Sequence, residues 1–371
     1  MKRSSEIQGL RGICVAVVML FHFAIPFRES LLSGGWHREA LYRLANIGWI
    51  GVDFFFAISG FVVTLVLLKR DQNYVGFMRR RAGRLLPSYF ALLVLSGLLT
   101  LAAPAIGLPL RSGFAENQLW AWTLTANIAT SMHGGLLEGG NITLFHLWSL
   151  CVEMQFYLVW PFLVWNLDGR RLVLAMVGVA IAAFTLRSAA TYAGVYYNAV
   201  YSLTPFRLDG FAMGGLAATL AVSGRKVPAA PWLAGLLLVP SILWFLADIG
   251  WHKADGFVQA VGYTVMGAGA AALVLSAYQE TLWTPFRRLL AGGQLVHVGD
   301  RSYSLYLWHL PFMGTVNLGI TTALPDLGPS TVWFVILVNS IVALGLAEFG
   351  YRLLERARFG RTSSTSGSRT R

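Results

Sequence analysis

The sequence predicts an all-α, polytopic integral membrane protein with about ten transmembrane helices and both termini in the cytoplasm. Three observations predict it. The 371-residue chain is 56% hydrophobic and only 12% charged, about half the charged content of a soluble globular domain. Apolar stretches of about 20 residues, the length that crosses a hydrocarbon core of roughly 30 Å, recur from end to end. Lys and Arg fall in short clusters between those stretches. Such a composition excludes a soluble enzyme, a disordered chain and a disulfide scaffold. The two cysteines, Cys14 and Cys151, lie inside apolar runs and imply no extracellular disulfide framework. The net charge of +12 does not make a nucleic-acid-binding protein, because no contiguous basic domain carries it.

The spans follow in order along the chain. Residues 9–27 form the first; the run has no small-residue cleavage site, and further spans follow it, so it is not a signal peptide. Span two is 47–68, and span three, 86–104, comes after an arginine-rich loop. The stretch 118–132 is apolar but short and rich in Thr and Asn, and is expected to be a re-entrant helix that does not cross. Spans four and five, 146–166 and 172–190, flank Arg170 and Arg171. Spans six and seven, 205–223 and 231–250, flank Arg225 and Lys226. Spans eight, nine and ten are 257–277, 300–320 and 331–353. The embedded domain is thus expected over 1–358, with 359–371 a disordered basic tail. No internal period stands out, which argues against a solenoid or a duplicated transporter.

Orientation follows from the basic residues. With the N-terminus inside, 22 of the 29 Lys and Arg fall in inner segments, among them the cluster Lys69 to Arg84 and the tail. Five (Arg28, Arg38, Arg43, Arg111 and Lys253) fall outside, and Arg187 and Arg207 lie within spans. An excess of that size fixes both termini in the cytoplasm.

Ionisable groups inside a bilayer are costly and therefore functional candidates. At about 1.5 Å of rise per residue, His22 lies roughly 16 Å above Arg11 on the first span. The same arithmetic puts His22, Asp53 and Glu153 at one depth, roughly 10 Å from the outer surface, with Arg187, Arg207 and Asp209 also in the outer half. His309 falls near the midplane. Convergence of this kind predicts a shared polar cavity. A His beside a carboxylate can take a proton from an acceptor hydroxyl, and the same pair would also serve a secondary transporter or a sugar-lipid flippase. The loop Phe77-Met78-Arg79-Arg80-Arg81-Ala82-Gly83-Arg84 distinguishes these readings. Arg81 and Arg84, at i and i+3, share a helix face and are fitted to clamp phosphates. Coenzyme A suits that arrangement, with its nucleotide at the inner surface and its pantetheine arm reaching into the membrane.

Taken together, the motifs resemble membrane-bound acyltransferase family 3, bacterial enzymes that O-acylate surface polysaccharides. The resemblance covers nearly the whole chain. It rests on Gln8-Gly9-Leu10-Arg11-Gly12 with His22, on Gly51-Val52-Asp53-Phe54-Phe55-Phe56, and on Arg81-x-x-Arg84 followed by Pro87 and Tyr89. It continues with His146-Leu147-Trp148-Ser149-Leu150-Cys151-Val152-Glu153, with Arg207-Leu208-Asp209-Gly210, and with Ser302-Tyr303-Ser304-Leu305-Tyr306-Leu307-Trp308-His309. The resemblance implies His22 as catalytic residue, with Arg11, Glu153 and Ser149 in the essential motifs. It implies Arg80, Arg81 and Arg84 as the acyl-coenzyme A site. Asp53, Arg207, Asp209, Tyr303, Tyr306 and His309 are expected to line the substrate cavity, with Glu153 orienting His22. The implied donor is acyl-coenzyme A, acetyl first, and the implied acceptor an extracytoplasmic carbohydrate or glycoconjugate. No metal and no nucleic acid are expected. The implied location is the bacterial inner membrane, with the lipid bilayer as surroundings. Two departures stand out. Met154 replaces a second Glu that many members carry. The esterase-like domain that some members append is not expected here, so transfer is expected to proceed without such a domain in cis.

Overall fold

The computed structural model describes residues 4–102, 105, 114–133, 142–248, 252–323 and 331–356. Every regular element among them is helical, as a bilayer demands, because a helix satisfies its backbone N–H and C=O groups internally where no water can. In α1 (Ser5–Ala24) the Ser4 Oγ caps the start by accepting from the Ile7 N–H, and a 3-10 turn leads on to α2 (Arg28–Leu32). Then come α3 (Trp36–Asn46), α4 (Ile50–Leu68) and α5 (Tyr74–Ala102), which carries the arginine cluster. Two short helices, α6 (Phe114–Trp122) and α7 (Ala126–His133), precede α8 (Leu147–Asn166) and α9 (Gly169–Tyr192). The short α10 (Tyr197–Ser202) precedes α11 (Leu208–Val222) and α12 (Ala230–Ala247). A π-helical turn opens α13 (Tyr263–Tyr278), after which α14 (Thr284–Leu290) and α15 (Gly293–Asp300) lead to α16 (Ser302–Trp308). The described chain closes with α17 (Met313–Ala323) and α18 (Thr331–Gly350), which ends in a π-helical turn at Tyr351–Arg356.

Among the described residues, eight stretches are long and apolar enough to cross a membrane, and Leu208–Val222 is apolar but shorter. The expected ninth span, 300–320, is not one helix. It stops at Trp308 and resumes at Met313, because Pro311 has no N–H to give the Leu307 carbonyl and its ring crowds that carbonyl. The expected re-entrant helix at 118–132 is likewise two helices of nine and eight residues, each about 13 Å long and too short to cross. They part at Leu124, whose φ of 59° turns the chain. The expected tail from 359 onward lies outside the described residues, as do 106–113 and 134–141.

The centre of the bundle is the stretch Trp36–Leu68, which ends in α4 and has 78% of its most apolar part buried; α12, with 22% buried, stands at the periphery. What brings α4 against α11 is the absence of side chains at the crossing. Gly60 sits against the Phe211 carbonyl and Gly214 against the Ala57 carbonyl, with no room for a Cβ at either. Small residues permit this approach where lipid and side chain are equally apolar and dispersion contacts decide packing. On the other flank Gly9 meets the Leu290 backbone of α14, which fixes the height of α1 and so of Arg11 and His22.

Candidate active site

A cavity of about 80 Å³ opens between α1, α4, α5, α8 and α16. Arg11, Arg81 and Arg84 line it together with Ser149, Glu153 and Tyr306, so the i, i+3 pair does share one face. The Arg81 guanidinium lies 5.5 Å from the Phe77 ring and 5.4 Å from the Tyr157 ring, a cation–π seat that sets its direction. Arg11 donates from Nε to the Ser302 Oγ at 3.1 Å. The Glu153 carboxylate accepts from the Ser59 and Tyr157 hydroxyls. Tyr303 also lines this cavity and donates to the Leu85 carbonyl at 2.6 Å. Arg80 is exposed and lines neither this cavity nor the next.

A second, smaller cavity of about 20 Å³ holds the histidines. Its geometry starts from Pro311. The Leu307 carbonyl, denied its helical donor, accepts instead from the His146 Nε2 at 3.0 Å. His309, at the break itself, points Nδ1 at the Leu305 and Tyr306 carbonyls, 3.1 and 2.8 Å away. A carbonyl only accepts, so Nδ1 of His309 and Nε2 of His146 carry the protons. The neutral His309 then has a bare Nε2, which accepts from the His22 Nδ1 at 3.0 Å. That chain of donors leaves Nε2 of His22 unprotonated, the tautomer of a general base. His22 and His146 line the cavity with Trp49, Phe145, Tyr201 and Lys253.

Tyr306 and Val52 line both cavities and form the wall between them. The Tyr306 hydroxyl is 2.5 Å from the Ser149 Oγ, and both hydroxyls lie in reach of the His146 carbonyl, at 3.3 and 3.1 Å.

Three expectations need correction. Glu153 does not orient His22; His309 holds that place. The depth arithmetic took the start of α8 for the membrane surface, but His146 there is buried and its ring centroid is 5.4 Å from that of His309. Glu153, seven residues further on, is therefore about 10 Å nearer the level of Arg11. Asp53, Arg207, Asp209 and His309 do not line either cavity, and His309 acts on the smaller one only through its bond to His22. Arg207 pairs with Asp53 at 2.5 Å and Arg187 with Asp209 at 2.8 Å, all four buried. Buried charges must be paired, and Arg207 also faces the Tyr263 ring at 4.2 Å, so these four tie α4, α9, α11 and α13 together. Arg80, as noted, turns outward.

Sequence reasoning missed His146, Trp49 and Lys253 as members of the site. His146 stood in the same motif as Ser149 and Glu153, and Lys253 carried no sign beyond its place in a short polar stretch between two apolar runs. For Trp49 the sequence carries no signal beyond its place at the start of span two.

Comparison with known proteins bears on the family of the chain. A family model described as "Acyltransferase domain" matches residues 4–347. The chain is 24% identical to the peptidoglycan O-acetyltransferase OatA of Listeria monocytogenes, over 94% of this chain and 55% of that one. It is 25% identical to the O-acetyltransferase OatA of Staphylococcus aureus, over 94% of this chain and 56% of the relative. A Komagataeibacter xylinus protein named as a membrane-bound transacylase, BcsY, is 29% identical over 93% of this chain and 82% of its own length. The chain thus spans little more than half the length of the two O-acetyltransferases. No solved structure matches. The chain belongs to this acyltransferase-domain family.

Proposed function

We propose that the chain transfers an acyl group, acetyl by analogy with its relatives, from cytoplasmic acyl-coenzyme A to a hydroxyl of an extracytoplasmic carbohydrate, in the inner membrane of a bacterium. The observation that carries the reading is the shared wall at Tyr306. It separates an arginine-lined cavity suited to an anionic donor from a histidine-lined cavity suited to deprotonating an acceptor. The names of the relatives, peptidoglycan O-acetyltransferases among them, support the acyl group and the carbohydrate class.

The residues fit such a donor. Planar guanidinium groups bind phosphate oxygens at two points, and Arg81 and Arg84 line a cavity whose walls also include Ile58, Val62 and Val63, apolar enough for a pantetheine arm. The donor brings an activated thioester. His22 takes the acceptor proton at Nε2, a role worth about 10²–10⁴-fold in rate. His309 holds the tautomer and receives part of the positive charge that results. Glu153 keeps Tyr157, and through its ring Arg81, in place for the donor.

The test uses the purified chain in detergent with radiolabelled acetyl-coenzyme A and an N-acetylglucosamine oligomer. Saturable binding of the donor and transfer of label to the oligomer are expected. His22→Ala is expected to bind donor normally and lose nearly all transfer. Near wild-type transfer by that variant would remove His22 from the chemistry.

A further inference from the structure

The cavity beside His22 holds more polar groups than a base requires. Lys253, in the single 3-10 turn His252–Ala254, is 8% exposed. Its Nζ lies 5.7, 5.6 and 5.4 Å from the rings of Phe21, Phe145 and Tyr201, and all three rings line the cavity. The turn is clamped from below. The Lys253 carbonyl accepts from the Gln259 Nε2 at 3.1 Å and from the Tyr263 hydroxyl at 2.6 Å. Such a clamp fixes the backbone from which the Lys253 side chain reaches the three rings. Trp49 lines the same cavity, is 2% exposed, and its Nε1–H has no hydrogen-bond partner. A buried donor left unpaired costs about 1–3 kcal/mol, so an orphan of this kind in a cavity points to a ligand that supplies the acceptor. His146, 1% exposed, adds the opposite kind of orphan. Its Nδ1 has no partner and, with Nε2 committed to Leu307, offers a lone pair.

The size of the space decides what these groups share. A volume of about 20 Å³ holds about one water, or the carbonyl end of an acyl group, so an occupant lies among the residues that line it. Two lone pairs, on His22 and His146, face hydroxyl protons. One cation and one N–H face an oxygen that gains negative charge.

We propose that Lys253, assisted by the Trp49 Nε1–H, stabilises the oxyanion of the tetrahedral intermediate in acyl transfer; the inference rests on the acyltransferase reading above. The acceptor oxygen forms a C–O bond to the acyl carbon while its proton passes to Nε2 of His22. The carbonyl π pair moves onto the carbonyl oxygen, where Lys253 and Trp49 hold it. When the pair returns, the C–S bond breaks, and His22 returns the proton to the leaving sulfur. A donor aimed at developing charge in a site without bulk water acts on the transition state more than on bound substrate. The loss should therefore appear in kcat.

The experiment compares Lys253→Met, Lys253→Arg and Trp49→Phe in the full chain. It measures acetyl-coenzyme A binding, transfer to the N-acetylglucosamine oligomer, and hydrolysis of acetyl-coenzyme A without acceptor, which passes through the same oxyanion. For Lys253→Met, transfer and hydrolysis should fall together, by about 10²–10³-fold in kcat. Acceptor KM and donor binding should be unchanged. Lys253→Arg keeps the charge and should recover part of the loss. Trp49→Phe keeps the ring and should show a smaller fall in the same two rates. A raised acceptor KM with normal kcat would make Lys253 an acceptor anchor and overturn the proposal, as would normal hydrolysis. Loss of donor binding in both Lys253 variants would show a structural role and overturn it as well. If the wild-type chain neither transfers nor hydrolyses, the acyltransferase reading itself falls, and Lys253 with it. If wild type transfers and Lys253→Met equals it, only the oxyanion assignment falls.

Discussion

Replacing His309 by Phe tests the tautomer argument directly. In the wild-type chain the Nδ1–H of His309 is held by two carbonyls, and its Nε2 accepts from His22 at 3.0 Å. Phe fills the same volume without the acceptor. His22 then loses the bond that keeps its proton on Nδ1, and a net buried hydrogen bond is worth about 0.5–1.5 kcal/mol. That energy corresponds to roughly 2- to 13-fold in the fraction of His22 with Nε2 bare. The imidazolium formed during proton transfer loses the same acceptor, where a hydrogen bond to a charged group is worth about 1.5–3 kcal/mol. The expected fall in transfer is therefore about 10- to 150-fold, short of the loss from removing His22. Single-turnover transfer from radiolabelled acetyl-coenzyme A, with donor saturating, measures it without interference from product release. His309→Gln, whose amide oxygen can accept from His22, should recover part of the rate. Two results would refute the reasoning. One is transfer by His309→Phe at the wild-type rate. The other is a His309→Phe variant that is inert while His22→Ala remains active, which would make His309 the base.

Three further outcomes are expected. Arg81→Ala with Arg84→Ala should weaken acetyl-coenzyme A binding by at least about tenfold, read by equilibrium binding, while membrane insertion is kept; Arg84→Lys should also be impaired, since a point charge cannot reproduce a planar two-point contact. Glu153→Gln should raise the donor KM more than it lowers kcat, because Glu153 braces the arginine cavity and stands a helix turn or more from the histidines. Pro311→Ala restores an N–H that competes with His146 for the Leu307 carbonyl, so transfer should fall with thermal stability unchanged or raised, by kinetics and a melting curve side by side.

Much of this protein is written in one dimension. An apolar run of about 20 residues has one stable form in hydrocarbon, the helix, so most of the crossing stretches and the helical class follow from composition alone. The i, i+3 placement of Arg81 and Arg84 follows from helix geometry, and both face the cavity as the spacing requires. His22 stood out because a polar group in an apolar run is costly to bury, and it lines the smaller cavity.

What the sequence could not carry is where one helix stands relative to another. Depth along a helix is local, and it converts to depth in the molecule only if the helix begins at the surface. For α8 it does not, and that offset moved Glu153 away from His22. Asp53, Arg207 and Asp209 show the same limit: a buried charge announces its cost, but whether its partner is a substrate or another side chain depends on which helices adjoin. Only the tertiary structure brings the break at Pro311 against the start of α8, so that a carbonyl freed in one helix fixes the proton on a histidine of another. And only there does Lys253, more than two hundred residues from His22 in the chain, come to share a space the size of a water molecule with it, because that proximity is a property of packing between helices and not of any segment's own periodicity.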